Sequence, residues 1–169
     1  MGENFVNPVK KTITDLEDFI GYPFVEKEII EEALRRRAYV NEHKNEKTEC
    51  MDPLATLGDA VLDTIVVSKL YEAGYRSKGK ITEKKISQVK HEKTRAFAEK
   101  HKLGEYVLWG SGEYQQMDSI RKGKAFDAVT EALIGAIFLD AQKNGKNGLL
   151  IVKEFLERKQ FFKNEFEIK

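Results

Sequence analysis

Apolar residues recur at intervals of three and four along two stretches of this chain, and each stretch holds an acid inside its apolar run. From Asp52 to Asp63 the sequence reads DPLATLGDAVLD, and Leu54, Leu57, Val61, Leu62, Ile65 and Val66 share one helical face. Asp52 is placed to cap this helix through its side-chain oxygen, and Pro53 suits the first helical position, where an N–H has no partner anyway. Gly58 and Asp59 interrupt the run. A glycine inside a helix costs about 1 kcal/mol relative to alanine, so its presence predicts a second backbone packed close. From Asp127 to Asp140 the sequence reads DAVTEALIGAIFLD and repeats the arrangement with Gly135 and Glu131. Two such helices crossing at their glycines bring Asp59 and Glu131 together. Paired carboxylates in a low-dielectric crevice repel, and a divalent cation with oxygen ligands resolves the repulsion. The alternative is two ordinary core acids bonded to Lys, Arg or backbone N–H groups, and spacing alone favours it.

The remaining pattern is helical throughout and predicts an all-α fold. A helix is expected from about Thr12 to Ile20, stopped by Gly21 and Pro23. A second runs from Glu26 to Arg37 with Ile29, Ile30, Ala33 and Leu34 inward, and Arg35, Arg36 and Arg37 suit its C-terminal dipole. Those arginines are equally able to touch phosphate. His43 to Met51 reads as a loop. The helix starting at Pro53 extends to about Ala73 and closes at Gly74. A short helix is expected around Tyr106 to Trp109, with Trp109 in the core. The last helix runs from about Asn147 to Arg158, with Leu149, Leu150, Val152, Phe155 and Leu156 packing inward. Residues 1–11 read as a loose arm, 12–160 as one domain and 161–169 as a tail.

Composition narrows the class. The chain has 169 residues, with 29 Lys and Arg against 28 Asp and Glu, so net charge is only +1. That balance argues against disorder and against a globally basic nucleic-acid binder. The single cysteine, Cys50, excludes an intramolecular disulfide and fits a reducing compartment. Neither a signal peptide nor a run of membrane-spanning length is present, so a cytoplasmic protein without a membrane partner is expected. Basic charge is nevertheless concentrated between Lys78 and Lys102. There Lys78, Lys80, Lys84, Lys85, Lys90 and Lys93 form a candidate RNA-binding face, with Thr82 as a candidate helix cap. Such a face follows phosphates without reading sequence and suits double-stranded RNA. A solvated Lys-rich helix is the commoner reading of composition alone.

The order of these segments resembles the catalytic domain of the ribonuclease III family. LGDAVLD is followed about seventy residues later by EALIGAIFLD. Leu16 to Glu42 (LEDFIGYPFVEKEIIEEALRRRAYVNE) resembles the family's opening helices, and Lys78 to Ala98 its RNA-contacting middle segment. Leu103 to Glu113 (LGEYVLWGSGE) resembles its Gly-x-Gly-Glu loop. The resemblance implies a metal-dependent endonuclease for double-stranded RNA, working as a homodimer around an RNA-binding valley, with Tyr114 to Gly123 near that valley. It implies magnesium, or manganese in its place, on carboxylates. The chain ends too soon for the double-stranded-RNA-binding domain many members carry, so a stand-alone catalytic domain is expected.

Four acids are typical of the family, as Glu-x-x-x-Asp in one helix and Asp-x-x-Glu in the other. Here those positions hold Ala55 with Asp59, and Ala128 with Glu131. The phenylalanine beside the first acid is Thr56, and an acid of the middle segment is Lys78. Asp59 and Glu131 are therefore the first candidates for catalysis and metal binding. Asp127 comes next, because it lies one position before Ala128 and shares a face with Glu131 at i, i+4. The shift moves its carboxylate by about 100° around the helix axis. Asp52 ranks last, and Asp63, one turn beyond Asp59, is a candidate supporting group. Three readings follow: a divergent endoribonuclease on a reduced acid set, a ribonuclease III-like protein that binds RNA with little or no cutting, and a structural component of an assembly. The two alanines, natural or engineered, favour the second over the first. The retained acids and the basic segment favour both over the third.

Overall fold

The computed structural model describes residues 11–44, 48–162 and 166. Residues 1–10 of the expected arm and 163–165 and 167–169 of the expected tail lie outside the described residues. The regular structure is helical, as the pattern predicts: α1 (Ile13–Ile20), α2 (Lys27–Ala33), α3 (Arg37–Glu42), α4 (Asp52–Glu72), α5 (Lys78–Gln88), α6 (His91–Lys100), α7 (Ser111–Gln115), α8 (Met117–Arg121), α9 (Lys124–Lys143) and α10 (Gly148–Arg158). A 3₁₀ turn spans Leu103–Glu105. Helix α9 is the axis of the domain. Its Val129, Ala132, Leu133, Ile134, Ala136 and Ile137 are all buried, and α2, α4, α6 and α10 pack around it.

Local sequence explains most boundaries. Thr12 and Asp15 form a reciprocal capping box at the start of α1, and Gly21 ends it in the left-handed region at φ 70°. Asn147 caps α10 by accepting from the Leu150 N–H at 3.0 Å. One buried acid is a satisfied core acid of the ordinary kind. Asp140, at the end of α9, accepts from the Tyr22 hydroxyl at 2.5 Å and from the Val25 and Glu26 N–H groups at 3.2 and 2.8 Å. It thereby caps the approach to α2 from across the core. Burial and this carboxylate push the Tyr22 hydroxyl's pKa upward.

Several local expectations are corrected. The helix expected over Glu26–Arg37 is two helices with an extended break. There Leu34 and Arg36 exchange backbone hydrogen bonds with Leu108 at 2.7 and 3.0 Å, and the Arg35 carbonyl accepts from Met51 N–H at 2.9 Å. The arginines are consequently not a helix end: Arg35 pairs with Glu31, Arg36 with Glu113 and Arg37 with Asp52. Asp52 is inside α4 rather than its cap, because its carboxylate is drawn to Arg37 at 2.7 Å. Thr82 lies within α5, which begins four residues earlier at Lys78. No helix covers Tyr106–Trp109, since Leu108 is the strand-like partner of the α2–α3 break. Leu149 and Leu150 are 37 % and 49 % exposed, while Gly148, Val152, Phe155 and Leu156 supply the buried face of α10. Trp109 is in the core as expected, 2 % exposed and stacked on Phe126.

The Gly110-Ser-Gly-Glu113 loop is held from two sides. Glu113 takes the Arg36 guanidinium at 2.8 Å and reaches back to the Gly110 N–H, while Glu42 accepts from the Ser111 N–H and hydroxyl at 2.9 Å. This gives two charged residues of the Leu16–Glu42 segment, Arg36 and Glu42, a structural task.

Candidate carboxylate site and basic face

The two long helices cross where the sequence places their glycines. A Cβ on Gly58 would stand 1.8 Å from the Glu131 carbonyl oxygen, and one on Gly135 would stand 2.1 Å from the Leu54 carbonyl oxygen. No side chain fits between backbones so close. The crossing sets Asp59, exposed on α4, beside Glu131 on α9, whose side chain is 14 % exposed. Burial, and after it the negative charge of Asp59, push the Glu131 carboxyl up to about 7, with Asp127 adding to the repulsion and His91 opposing it. Among the described residues neither acid has the lysine, arginine or backbone partner that an ordinary core acid finds, in contrast to Asp140.

Asp127 occupies a different side of this site. It is 3 % exposed, and burial raises its pKa against the positive charges of Arg95, His91 and Lys124. Its charged neighbours therefore come from α6 and from its own helix. The Arg95 Nε lies 3.9 Å from Oδ1, and the His91 Nδ1 lies 3.7 Å from Oδ2 and 3.8 Å from the Glu131 Oε1. Arg95 also donates to the Lys122 carbonyl, tying α6 to the turn before α9. Asp127 Oδ1 is buried and has no hydrogen-bond partner among the described residues. The i, i+4 spacing thus puts Asp127 near Glu131, while the one-position shift turns it toward α6. Ala55, 7 % exposed, and the half-buried Ala128 contribute no oxygen. Among the described residues no three His, Cys, Asp or Glu side chains stand close enough, as placed, to hold a metal ion.

His91 is the member of this cluster that sequence reading missed. Its only signal was membership of the lysine-rich segment, where an imidazole counts for little charge. The supporting role anticipated for Asp63 goes elsewhere: its carboxylate accepts from the Lys85 ammonium at 2.5 Å.

That ion pair ties the basic helix to the acidic one. Helix α5 packs on α4, with Ile81, Lys85 and Gln88 turned inward and Lys78, Lys80, Thr82 and Lys84 exposed. Lys90 is exposed at the turn into α6, and the half-buried Lys93 donates to the Gln88 side chain at 2.7 Å. Two of the candidate lysines, Lys85 and Lys93, therefore have structural partners. A separate cleft of about 690 Å³ is lined by Lys102, Trp109, Tyr114, Arg121 and Phe126 among others. Asp59, Asp127 and Glu131 do not line it, and from the segment Tyr114 to Gly123 the Lys122 carbonyl accepts from Arg95.

These features define a helical domain with an acidic crevice at a close helix crossing and a lysine-bearing helix on its flank. Residues 26–158 match the family model described as ribonuclease-III-like, and the chain belongs to that family. It is 33% identical over 147 residues to a ribonuclease 3 of Shewanella denitrificans, covering 86% of this chain and 61% of that protein. A ribonuclease 3 of Geobacter metallireducens is 35% identical over 145 residues, covering 83% and 58%. The chain thus spans about three-fifths of the length of the curated relatives it matches. Among solved structures, the nuclease domain of ribonuclease III from Campylobacter jejuni superimposes with a TM-score of 0.72 at 25% identity, covering 88% of this chain and 95% of that one. That domain is described as having structural flexibility in a region involved in dimer formation. The family is one of endoribonucleases that use a divalent metal cofactor.

Proposed function

We propose that this domain is a ribonuclease III-type endonuclease that hydrolyses phosphodiesters of double-stranded RNA, with a divalent cation, magnesium or manganese, held at Asp59 and Glu131 and assisted by Asp127. The observation that carries the reading is the glycine crossing of α4 and α9, which confronts Asp59 with Glu131 beside the basic helix α5. Among the described residues the side chains as placed do not close around an ion, and what supports the reading is their charge and burial. The crevice holds an acid kept near pH 7 by burial and a second acid, and a buried carboxylate oxygen on Asp127 without a partner among the described residues. Magnesium retains several waters and often uses one or two carboxylates plus substrate phosphate. The reduced acid set therefore suits one hydrated ion and lacks the oxygens for a second.

Asp59 and Glu131 would hold the ion, which would supply a water of lowered pKa and offset charge developing on the phosphoryl oxygens. The chain's own groups do the rest. Glu131, with its pKa raised to about 7 by burial and by Asp59, would hold or release a proton near neutral pH. Asp59 is exposed on α4 beside it. Arg95 restrains Asp127 from the α6 side. Lys78, Lys80, Lys84 and Lys90 hold backbone phosphates along α5 and the start of α6, with Thr82 available as a hydrogen-bond donor on the same exposed helix.

A homodimer fits the surface of α4, where Val67 and Tyr71 are exposed at i, i+4 on the helix that carries Asp59. No helix among the described residues is long and apolar enough to cross a membrane. The single cysteine, Cys50, is free and buried, which suits a reducing compartment, and a cytoplasmic setting belongs to the proposal on that ground. A second reading, RNA binding with little or no cleavage, is favoured by Ala55 and Ala128.

Cleavage of long double-stranded RNA with magnesium, then manganese, separates the two. The comparison includes the chain as it stands, Glu131→Ala, and a variant carrying Ala55→Glu with Ala128→Asp. Cleavage by the first, lost in Glu131→Ala, is the expected result. Cleavage only by the acid-restored variant selects the second reading. Absence of cleavage from all three overturns the nuclease assignment.

A further inference from the structure

We propose that His101 is an acid-sensitive latch: when its imidazole takes up a second proton, the end of α10 from Lys159 to Phe162 lifts from α1 and α6 while the rest of the domain stays folded. The inference is independent of the carboxylate site. His101 closes α6 at the opposite end from His91, about 15 Å along the helix axis.

His101 stands where three helices meet. Its backbone N–H donates to the Phe97 carbonyl at 3.1 Å. Its ring packs on Phe19 of α1 at a centroid distance of 5.0 Å and on Phe97 of α6 at 4.5 Å. The same two phenyl rings receive the end of α10. Phe155 meets each of them at 6.0 Å, and the buried Phe161 meets Phe97 at 5.3 Å. The His101 Nε2 is buried in this cluster and has no hydrogen-bond partner among the described residues. The chain has a defined point at which to part. The Arg158 guanidinium donates to the Ile20 carbonyl at 2.6 Å and fixes α10 up to that residue. Two residues later Gln160 has φ 56°, a left-handed conformation that costs a glutamine energy. Past Arg158 the holds are the burial of Phe161 and the Lys69 ammonium, 5.4 Å from the Phe162 ring centroid.

Protonation sets a buried charge against these contacts. Among the described residues the charged groups that face the imidazole are both cations, Lys100 on its own helix and Lys159 on the end of α10, and α1 meets it with the apolar Phe19 ring. The Lys159 ammonium already lies over that ring, 4.3 Å from its centroid, so a second cation beside it is repelled. Burial, and after it Lys100, hold the imidazole below its ordinary 6.5, with a hydrogen bond to the Lys159 backbone opposing them. Lifting the segment returns the ring to water and to the ordinary value. The opening constant therefore rises as pH falls below 6.5, by up to about tenfold per pH unit, and levels off below the folded value.

The test is amide hydrogen exchange followed by nuclear magnetic resonance on the whole chain from about pH 8 to about pH 5, with the His101 ring proton titrated in the same samples. The Lys159, Gln160 and Phe161 N–H groups donate to the Phe155, Glu157 and Leu156 carbonyls, and so report the opening. Their protection, corrected for the intrinsic pH dependence of exchange, should fall by about threefold to tenfold, while the buried amides of α9 change less. The midpoint of the fall should coincide with the His101 titration, below 6.5. In His101→Leu the fall should vanish. His43 and His91 remain in that variant, so a fall that survives it overturns the proposal. Separate midpoints in the unaltered chain overturn it whether or not the variant folds, as does titration of His101 at or above 6.5. Equal loss of protection in α9 also overturns it, because the event is then unfolding of the domain.

Discussion

Gly58 and Gly135 each lie in the space the other's side chain would need: their backbones are so close that the Gly135 nitrogen would be 2.9 Å from a Cβ at position 58. This approach sets the separation of α4 and α9, and with it the distance between Asp59 and Glu131. It also explains the tolerance of glycine in two long buried helices, whose intrinsic cost of about 1 kcal/mol each is offset by packing along the crossing.

Gly58→Ala should destabilise the domain by about 3 kcal/mol or more, because the new methyl meets backbone atoms that cannot rotate away. Chemical denaturation measures this directly. Gly112→Ala, where nothing lies within 4 Å of the added methyl, serves as the control and should be close to silent.

The raised pKa of Glu131 gives stability an identifiable pH dependence. The folded carboxyl titrates near 7 against an ordinary value of 4.5, so the folded state binds this proton more tightly than the unfolded chain. Its contribution is complete below pH 4.5 and is lost as pH rises through about 7. Without added metal, Glu131→Gln should stabilise the protein at about pH 8 by about 1–3 kcal/mol, and the gain should fade toward about pH 5. A melting temperature series across that range checks the sign.

His101 acts in the opposite direction. Its ring packs against Phe19 and Phe97 at centroid distances of 5.0 and 4.5 Å, and its buried Nε2 has no hydrogen-bond partner among the described residues. Burial, and then Lys100, lower its pKa. A depressed histidine favours the folded state when neutral, so its contribution is present above pH 6.5 and is lost as pH falls through the folded value. His101→Leu should flatten the acid limb of the melting profile below about pH 6.5. The unaltered protein should show the steeper fall.

The lysines of α5 should divide into two groups in an RNA-binding titration. Lys80→Glu with Lys84→Glu should weaken binding to a duplex and reduce the steepness of its salt dependence, by about one unit of slope for each phosphate no longer neutralised. Lys85→Glu places a carboxylate against Asp63 and should additionally reduce stability, on the order of 1 kcal/mol. Equal effects of all three on stability and affinity would contradict this division.

Much of the architecture was written in the hydrophobic period. The helical class, both long helices and their glycine crossing follow from spacings of three and four plus the cost of an unexplained glycine, whereas the confrontation of Asp59 with Glu131 was only one of two readings, and spacing alone favoured the other. The break at Leu34–Arg36 was not legible, because its cause is a backbone exchange with Leu108, more than seventy residues along the chain. The Arg35–Arg37 run resembles a dipole-matched helix end, yet each arginine answers a different acid, two of them remote in sequence. Leu149 and Leu150 fit an apolar pattern, but the orientation of α10 on α9 exposes them.

The sequence by itself determined which segments are helical, where two of them approach most closely and which acids have no local partner, because periodicity, glycine and unpaired charge are local properties. Only the tertiary structure decided what those acids face. Asp140 is satisfied by Tyr22 and the entry to α2, Asp63 by Lys85, and Asp52 by Arg37, whereas Asp59 and Glu131 are left opposing each other. The placement of His91 between Asp127 and Glu131 arises from the packing of α6 on α9, and contacts between segments distant in the chain have no signature in the pattern of either one.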